Sequence, residues 1–468
     1  MSEIIWWIRR DLRLFDNPAL YQALNEAEYI IPLFIMDEKL WQSPYMSSNR
    51  IAFMLNGLHQ LAESLVERGG RLIIRHGRPL DVLRQFVAKR PIKMIYAQED
   101  YSPYATTRDQ TIARELPLTL TFGTSIRPVG VVLKNDGDPY TVYAPFKNKW
   151  LSHPLPRANQ LYPAPKRIKT PSDIHSDEIP AEPVLDDNIP FVAGETTGRE
   201  MLHQFITQKI GGYDDKRDQL AENGTSSLSP YLRFGMISAR EAAVLALEAK
   251  AKAKTPSEQD GAQTWLEELI WRDFYMSILH YFPHVRQGSF RPEYDDLQWR
   301  NNLDEFAAWC NGRTGYPVVD AAMRQLNTIG WMHNRARMIV ASFLIKDLLI
   351  DWRWGEKYFM QQLVDGDPAA NNGGWQWTAG TGTDAAPYFR IFNPISQSKK
   401  YDPNGQYIRQ WIPELKDVPN KYIHAPWEMP PIIQKTSNCI IGQNYPRPLI
   451  DHKTARQHTL ETYKAVRN

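Results

Sequence analysis

Cysteine is nearly absent from this 468-residue chain, which contains only Cys310 and Cys439. Two cysteines give neither a disulfide framework nor a cysteine metal site, so no metal is expected. No apolar run approaches the roughly 20 residues that cross a bilayer, and no basic segment with a small-residue cleavage site begins the chain. We therefore expect no membrane association, and we expect a cytoplasmic protein of the bacterial cytosol or nucleoid.

Net charge is also small, at +2, so any binding of nucleic acid requires a local basic patch. The 43% hydrophobic and 23% charged content is typical of a globular protein. The length predicts two domains with connecting material. Proline and tryptophan are abundant, with 34 and 15 residues. The prolines indicate long irregular connections, and most tryptophans are expected in the core unless their spacing suggests otherwise.

The first 130 residues alternate between short β-branched runs and helical patterns. This alternation predicts an α/β domain with a doubly wound, Rossmann-like parallel sheet. No GxGxxG motif follows the first strand, which runs directly into Arg9-Arg10-Asp11, so an ordinary dinucleotide site is not predicted there. The predicted strands are Ile4–Ile8, Tyr29–Ile35, Leu72–Ile74, Lys93–Ala97 and Leu118–Phe122, and the predicted helices are Pro18–Asn25, Ser47–Arg68, Leu80–Lys89 and Tyr104–Leu116.

The pattern changes twice further along the chain. Residues 131–197 are rich in proline and predict a long connector that wraps the surface. Residues 198–468 have helical periodicity almost throughout and predict an all-α domain.

Two segments of the helical half contain polar residues suited to a ligand. Gly224 is followed by Thr225, Ser226 and Ser229, whose hydroxyls suit phosphate oxygens, although an ordinary capped loop explains them equally well. In a helix, Glu268, Trp271, Arg272 and Tyr275 would share one face. A carboxylate beside a large aromatic ring suits a flat heterocycle, but an amphipathic helix with an ion pair is the alternative.

A third segment, Trp331–Met338, predicts a helical stripe of Trp331, Asn334, Arg335 and Met338. An amide and a guanidinium on an apolar face require polar partners. His333 lies off this stripe and is not predicted to bind a metal, because no second ligand is suitably placed.

The fourth segment is the most informative. Asp365–Trp377 contains two carboxylates, three amides, two tryptophans and three glycines within thirteen residues. Carboxylates can accept hydrogen bonds from ribose hydroxyls, amides can bond flavin nitrogens, and glycines permit close approach of the backbone. A purely structural turn has little need of this mixture, so the segment predicts a binding site.

With these residues in view, the whole chain resembles the photolyase/cryptochrome family, and specifically bacterial class I photolyases of cyclobutane pyrimidine dimers. The resemblance includes the opening run from Trp7, the run from Thr314 to Leu326, and Asn371–Trp377. It implies an N-terminal antenna domain, a helical domain with U-shaped FAD, and electron transfer from light-excited, reduced anionic FAD to a flipped-out dimer in single- or double-stranded DNA. A monomer is expected.

The resemblance also implies roles for individual residues. The implied FAD contacts, with Asn371 facing flavin N5, are Tyr213, Thr225, Ser226, Ser227, Leu228, Ser229, Trp265, Glu268, Arg272, Trp331, Asn334, Arg337, Asp365, Asp367 and Asn371. The implied dimer contacts are Glu268, Trp271, Asn334, Met338 and Trp377. The implied DNA contacts are Arg217 and Arg335, with Arg390, Lys399, Lys400 and Arg409 as candidates for a basic rim. The implied electron relay is Trp375, Trp352 and Trp299.

The second chromophore is less constrained by the residues. Folate-binding relatives have a histidine and an Asn-Glu pair where this chain has Pro44 and Tyr104-Ala105. We therefore expect a deazaflavin-like chromophore or FMN rather than methenyltetrahydrofolate, or no antenna at all. The candidate contacts are Phe34, Asp37, Met46, Arg50 and Asp100.

Two other functions are consistent with parts of the sequence. A cryptochrome, a light sensor without repair, is the alternative within the family, although the chain has no long tail after its last helix. His333-Asn334 also differs from the paired histidines of relatives that repair the six-four photoproduct. A helical DNA-binding module is the alternative outside the family, but simple phosphate binding has little use for Asp365 and Asp367.

Overall fold

The computed structural model describes residues 2–466. Five parallel strands form one sheet in the order β3-β2-β1-β4-β5, as the alternating sequence pattern predicted. Every residue of β1 and most of β2 are buried, which is expected of a parallel sheet that helices cover on both faces. The strands are β1 (Glu3–Ile8), β2 (Tyr29–Met36), β3 (Ile73–His76), β4 (Ile92–Gln98) and β5 (Leu118–Thr121).

The helices between these strands begin and end at the residues that favour such boundaries. The Asn17 side chain caps the first helix by accepting a hydrogen bond from the Leu20 N–H. Gly69 adopts a φ of 79° just after the third helix, which few other residues tolerate. These helices are α1 (Pro18–Glu26), α2 (Glu38–Trp41), α3 (Ser48–Val66), α4 (Pro79–Lys89) and α5 (Pro103–Ala113).

The proline-rich segment 131–197 is more ordered than the sequence predicted. Its middle forms the helix α6 (Tyr143–Ser152), with Trp150 fully buried at 0% exposure. Trp150 donates a hydrogen bond to the buried carboxylate of Asp273. The segment therefore contributes to the core as well as to the surface. The dense prolines around α6 obscured its helical pattern.

Helices make up nearly all the regular structure after residue 194. Short 3₁₀ turns and one π-helical segment, Phe343–Asp347, connect them. None of the helices within residues 2–466 is long and apolar enough to cross a membrane. The helices are α7 (Glu195–Gln208), α8 (Tyr213–Lys216), α9 (Ser229–Phe234), α10 (Ala239–Lys252), α11 (Pro256–Tyr281), α12 (Leu303–Cys310), α13 (Pro317–Ile329), α14 (Asn334–Ser342), α15 (Trp352–Gln362), α16 (Pro368–Ala379), α17 (Pro394–Tyr401), α18 (Gln406–Trp411), α19 (Pro431–Thr436) and α20 (His452–Ala465).

The carboxyl end of β1 docks directly on the helical half. Arg10 lies just past β1, and its Nη2 is 2.5 Å from Oδ2 of Asp367 at the start of α16. Its Nε donates to the carbonyl of Arg233, and its Nη1 lies 3.5 Å from Asp100. The guanidinium of Arg50, on α3, donates to the carbonyls of Met360 and Leu363. These contacts place the sheet against one wall of the cavity described below.

Candidate active site

A cavity of about 550 Å³ opens among α9, α11, α14 and α16. Its size lies within the usual range for small-molecule and cofactor sites. It brings together most of the residues that the sequence predicted for a cofactor and a substrate. The predicted residues that line it are Tyr213, Arg217, Thr225, Ser226, Ser227, Leu228, Ser229, Trp265, Glu268, Trp271, Arg272, Trp331, Asn334, Arg337, Met338, Asp365, Asp367, Asn371, Trp375 and Trp377.

Helix α11 forms one wall of the cavity and has the predicted stripe of Glu268, Trp271, Arg272 and Tyr275. The Trp271 ring stacks on Tyr143 of α6, with centroids 3.5 Å apart and planes 9° apart. Arg272 donates to the carbonyls of Thr124 and Leu232, which fixes its guanidinium. The stripe therefore forms a rigid wall, because Tyr143 holds the Trp271 ring and two carbonyls hold the Arg272 guanidinium.

The loop before α9 forms a second wall. Gly224 is required there, because a Cβ at this position would lie 2.7 Å from the carbonyl oxygen of Lys216. Ser227 has a φ of 53°, in the left-handed region, so its backbone conformation rather than its side chain shapes the loop. The hydroxyl of Ser229 accepts a hydrogen bond from the indole of Trp331 across the cavity.

The predicted helical stripe from Trp331 to Met338 is wrong at its beginning. Helix α13 ends at Gly330, which is left-handed, and α14 begins only at Asn334. The His333 ring occupies the N-cap position, where its Nδ1 accepts a hydrogen bond from the Arg335 N–H at 3.1 Å. Trp331 still reaches the cavity, but from a turn rather than from the helical face of Asn334 and Met338.

The segment Asp365–Trp377 forms the third wall, with α16 beginning at Pro368. Asp367 caps α16 by accepting hydrogen bonds from two backbone N–H groups. Oδ2 of Asp365 accepts from Arg337 at 2.8 Å, whereas its buried Oδ1 has no partner among the described residues. The Asn371 amide donates to the carbonyl of Glu356, which fixes the orientation of its side chain.

The surroundings shift the pKa values of the charged groups in the cavity in different directions. Burial raises the pKa of the Glu268 carboxyl, and the nearby Arg217 guanidinium opposes this rise. Burial also lowers the pKa of Arg233 to about 9. The pKa of Asp367 is well below its ordinary value, because Arg10, Arg233 and Arg272 outweigh the effect of burial. Asp367 is therefore a fixed negative charge at the pocket wall.

The two arginines predicted to contact DNA are engaged within the protein. Nη1 of Arg217 lies 2.8 Å from Oε1 of Glu268. Nη2 of Arg335 lies 2.6 Å from Oδ2 of Asp218, and Arg335 does not line the cavity.

The basic rim predicted from sequence is only partly available. Arg390 is exposed in the loop after α16, and Lys399 and Lys400 are exposed on α17. Arg409, another residue predicted for the rim, is engaged by its own loop. Its guanidinium donates to the carbonyls of Asn404, Lys416 and Val418 and to the Asn420 side chain, so it stabilises its own loop.

The tryptophans predicted as a relay range from the cavity wall to the surface. Trp375 is 2% exposed and lines the cavity. Trp352 is also 2% exposed and begins α15, whose Gly355 packs against the Trp375 ring. Trp299 is partly buried, and the backbone N–H of the adjacent Arg300 donates to the carbonyl of Leu349, close to Trp352.

The predicted antenna residues lie outside this cavity, and several of them are engaged in protein contacts. Asp37 caps α2 and accepts a hydrogen bond from the Tyr104 hydroxyl. Asp100 lies beside Arg10, which contributes to a pKa of about 2 for its carboxyl. Arg50 donates to the carbonyls of Met360 and Leu363. Phe34 is buried in the sheet, whereas Met46 is exposed.

Sequence reasoning missed several cavity residues. Arg233 lines the cavity, and its buried Nη1 has no partner among the described residues. Phe359 and Trp309 lie beside Trp375, with ring centroids at 5.0 and 6.1 Å. The ion pair of Arg10 with Asp367 joins residues 357 positions apart. The one available signal for Arg233 was its position four residues after Ser229 in the short helix α9.

No group of three or more potential metal ligands among His, Cys, Asp and Glu occurs in the part of the chain that the structure describes. The cavity instead combines a carboxylate acceptor, hydroxyls, an amide and several aromatic rings. A site of this chemistry beside a doubly wound α/β domain defines a protein that binds a large organic cofactor with both polar and aromatic parts.

Comparison with known proteins identifies the family. Residues 4–166 match the family model described as DNA photolyase, and residues 265–465 match the FAD binding domain of DNA photolyase. A deoxyribodipyrimidine photo-lyase of Escherichia coli is 40% identical over 100% of this chain and 99% of its own length. The chain belongs to the photolyase/cryptochrome family.

Solved structures agree with this assignment. A class III photolyase from Agrobacterium tumefaciens superposes with a TM-score of 0.94 and 35% identity, covering 100% of this chain and 98% of its own. A cryptochrome of Synechocystis has a TM-score of 0.89 and 28% identity, covering 99% of each chain. The predicted fold, an α/β domain followed by an all-α FAD-binding domain, is confirmed.

Proposed function

We propose that this chain is a light-dependent repair enzyme that splits cyclobutane pyrimidine dimers in UV-damaged DNA, single- or double-stranded. The observation that carries the proposal is one cavity lined by both predicted sets of residues. The FAD contacts Asp365 and Asn371 line the same space as the dimer contacts Glu268 and Trp377. A donor cofactor and its substrate would therefore lie close together, as electron transfer requires.

The cavity suits FAD on chemical grounds. The unpartnered Oδ1 of Asp365 is a buried acceptor available to a ligand hydroxyl or ring N–H. A Cβ at Gly374 would meet no atom within 4 Å, so α16 leaves space on its cavity side. We propose that Thr225, Ser226 and Ser229 bind the phosphate side, and that the acceptors on α16 bind the remainder. When bound and reduced, FAD supplies the electron that blue or near-ultraviolet light transfers to the dimer.

The remaining cavity residues would receive the lesion. The dimer has to leave the duplex to reach a buried site, as in other enzymes that act on a base extruded from the stack. We propose that Trp271 and Trp377 contact the flipped bases, and that Asn334 and Met338 complete the contact surface. The Glu268 carboxylate would accept hydrogen bonds from base N–H groups. An ionised carboxylate can only accept hydrogen bonds, so it matches these donors.

We further propose that Trp375, Trp352 and Trp299 pass electrons inward to an oxidised flavin. Trp375 and Trp352 are each 2% exposed and Trp299 is only partly buried, so the outermost member would be the one reached by an electron donor in solvent.

The remaining assignments are proposals from sequence. They are a monomer of class I with an antenna domain at 1–130, a connector at 131–197 and a catalytic domain at 198–468. The antenna chromophore would be deazaflavin-like or FMN, or absent, and would contact Phe34, Asp37, Met46, Arg50 and Asp100. Chromophore extraction from purified protein tests this last proposal. A flavoprotein whose extract contains only FAD and folate would contradict it.

A light sensor without repair is the second candidate, because a cryptochrome shares the fold. Irradiation of the reduced protein with blue light and a thymine-dimer oligonucleotide separates the two. We expect dimers to disappear in light and to persist in an identical sample kept in darkness. Equal persistence in both samples would contradict repair and favour the sensor.

A further inference from the structure

Two arginines beside the cavity are paired with carboxylates of the protein itself. Arg217 contacts Glu268 at 2.8 Å, and Arg335 contacts Asp218 at 2.6 Å. Arg217 and Asp218 are consecutive, so the short turn after α8 holds one member of each pair. We call these four residues the clasp.

We propose that Asp218 is a positioning residue for DNA recognition, which holds Arg335 in an internal ion pair and thereby weakens binding to undamaged DNA. This inference rests on the proposed function. Asp218 lines no part of the cavity and has no role in the assignments above.

The surroundings of Arg335 make it a prearranged phosphate ligand. Its guanidinium lies 4.5 Å from the Tyr401 ring centroid, and its side chain is only 15% exposed. Its Nε is buried and has no hydrogen-bond partner among the described residues. The buried Nε is not itself accessible to DNA, so a phosphate oxygen has to contact the exposed part of the guanidinium, where it competes with Asp218. The competition lowers the net gain from a phosphate contact.

The other half of the clasp, the pair of Arg217 with Glu268, is joined to the first through the turn that holds Arg217 and Asp218, and its own competition with phosphates depends on the lesion. An undamaged duplex offers phosphates to Arg217 but places no base in the cavity. If Arg217 moves to a phosphate, the half-buried Glu268 carboxylate loses its cation and gains no donor, which is costly. A flipped pyrimidine supplies an N–H to Glu268 and offsets that loss. The clasp therefore opens at lower cost on damaged DNA.

The substitution Asp218→Asn tests this role, because it keeps the shape of the side chain and removes its charge. Asp215→Asn is the matched control, since Asp215 is an exposed acid of α8 without an arginine partner among the described residues. Equilibrium binding is measured for undamaged and dimer-containing duplexes over a range of salt concentrations. Asp218→Glu, which can restore the pair, is measured in parallel.

We expect Asp218→Asn to strengthen binding to undamaged DNA about fivefold beyond the effect of Asp215→Asn, the order of one partly exposed ion pair. Binding to dimer-containing DNA should change less, so the preference for damage falls. The salt dependence of undamaged binding should steepen by about one released counterion, because Arg335 becomes free to contact a phosphate. Asp218→Glu should behave as the unaltered protein.

Equal effects of Asp218→Asn and Asp215→Asn on undamaged DNA would overturn the role of Asp218. This comparison does not depend on repair. Failure of the unaltered protein to prefer dimer-containing DNA would instead contradict the proposed function, so the two failures are distinguishable.

Discussion

Glu268 is the residue on which, in the proposed function, substrate recognition depends most directly. It is the acidic group of the α11 stripe, partly exposed to the cavity and held by Arg217. Its neighbour Glu267 is one position away on the same helix but pairs with Lys147 at 2.9 Å and does not line the cavity. Substitution of either glutamate removes the same charge, but only Glu268 lines the cavity. Comparing the two variants therefore separates the effect of position from the effect of charge.

Glu268→Ala should weaken binding of dimer-containing DNA about tenfold and lower the repair yield, because a charge-assisted hydrogen bond to the bases is lost. FAD should remain bound. Binding titration and flavin absorbance measure both quantities, and Glu267→Ala should leave both unchanged. Loss of flavin from Glu268→Ala would show that this residue holds the cofactor rather than the lesion.

His333 makes stability depend on pH. Its ring is 4% exposed, and its Nδ1 accepts the capping hydrogen bond of α14, which only the neutral imidazole can do. Burial lowers its pKa to about 4, from an ordinary value of 6.5. Between these values the unfolded chain binds more protons than the folded protein. The free energy of unfolding therefore falls as pH decreases through this range.

The contribution of His333 should be about 3 kcal/mol between pH 7 and pH 4. His333→Asn keeps a capping side chain and should reduce this pH dependence by a comparable amount. Urea unfolding at several pH values measures it, with His458→Asn on the exposed face of α20 as the control. A pH dependence that is equal in the two variants would contradict the role of His333.

At the scale of elements, α16 is packed tightly on one side and open on the other. A Cβ at Gly373 would lie 2.1 Å from Cδ1 of Tyr275 on α11, whereas a Cβ at Gly374 would meet no atom within 4 Å. Gly374 lines the cavity. Adjacent glycines therefore serve different purposes: the first allows helix packing, and the second leaves room for a ligand.

Gly373→Ala should destabilise the protein by about 1–3 kcal/mol, because it forces α16 away from α11. Gly374→Ala should be neutral or stabilising by up to about 1 kcal/mol, since alanine favours helix, but should weaken FAD binding. Thermal unfolding and flavin titration distinguish the two. Strong destabilisation by Gly374→Ala would contradict the open side of α16.

The sequence was sufficient to predict site residues on some elements and not on others. The periodicity of the α11 stripe located Glu268 and Arg272 correctly, because a long helix imposes one repeating geometry. Trp331 was misplaced because His333 caps the following helix, and a capping ring has no periodic signal. The sequence did not show that Arg409 is engaged by its own loop, because three of its acceptors are backbone carbonyls, which every residue has.

At the scale of the whole molecule, the contact of Arg10 with Asp367 joins the two halves. Residues so distant in sequence give no local signal of their contact. The Arg9-Arg10-Asp11 run after β1 was therefore visible in the sequence, but its partner on α16 was not. The pair is mostly buried, with side chains 15% and 13% exposed. Removal of Arg10 would leave Asp367 without its hydrogen-bonded cation, although Arg233 and Arg272 remain nearby.

Arg10→Met should destabilise the protein by about 3 kcal/mol and cause loss of flavin on dilution, because Asp367 anchors α16. Arg90→Met is the control. Arg90 pairs with Glu3 at 2.6 Å at the amino ends of β1 and β4 and should affect stability without flavin loss. Urea unfolding and flavin fluorescence measure both effects. Retention of flavin by Arg10→Met would contradict the coupling of the two halves.

Trp299→Phe should slow photoreduction of an oxidised flavin several-fold, because phenylalanine is much harder to oxidise. Repair by protein that is already reduced should be unaffected. Trp427→Phe provides a control, since Trp427 packs on Tyr316 away from the relay. Unchanged photoreduction in Trp299→Phe would remove this residue from the electron path.

The stacking of Tyr143 on Trp271 has a consequence for dissection of the molecule. The catalytic wall on α11 is completed by a helix that precedes the helical half in sequence. A fragment that begins at residue 198 would lack Tyr143 and also Trp150, the hydrogen-bond partner of Asp273. A minimal repair module would therefore have to retain α6, either in its native place or grafted by circular permutation onto the end of α20.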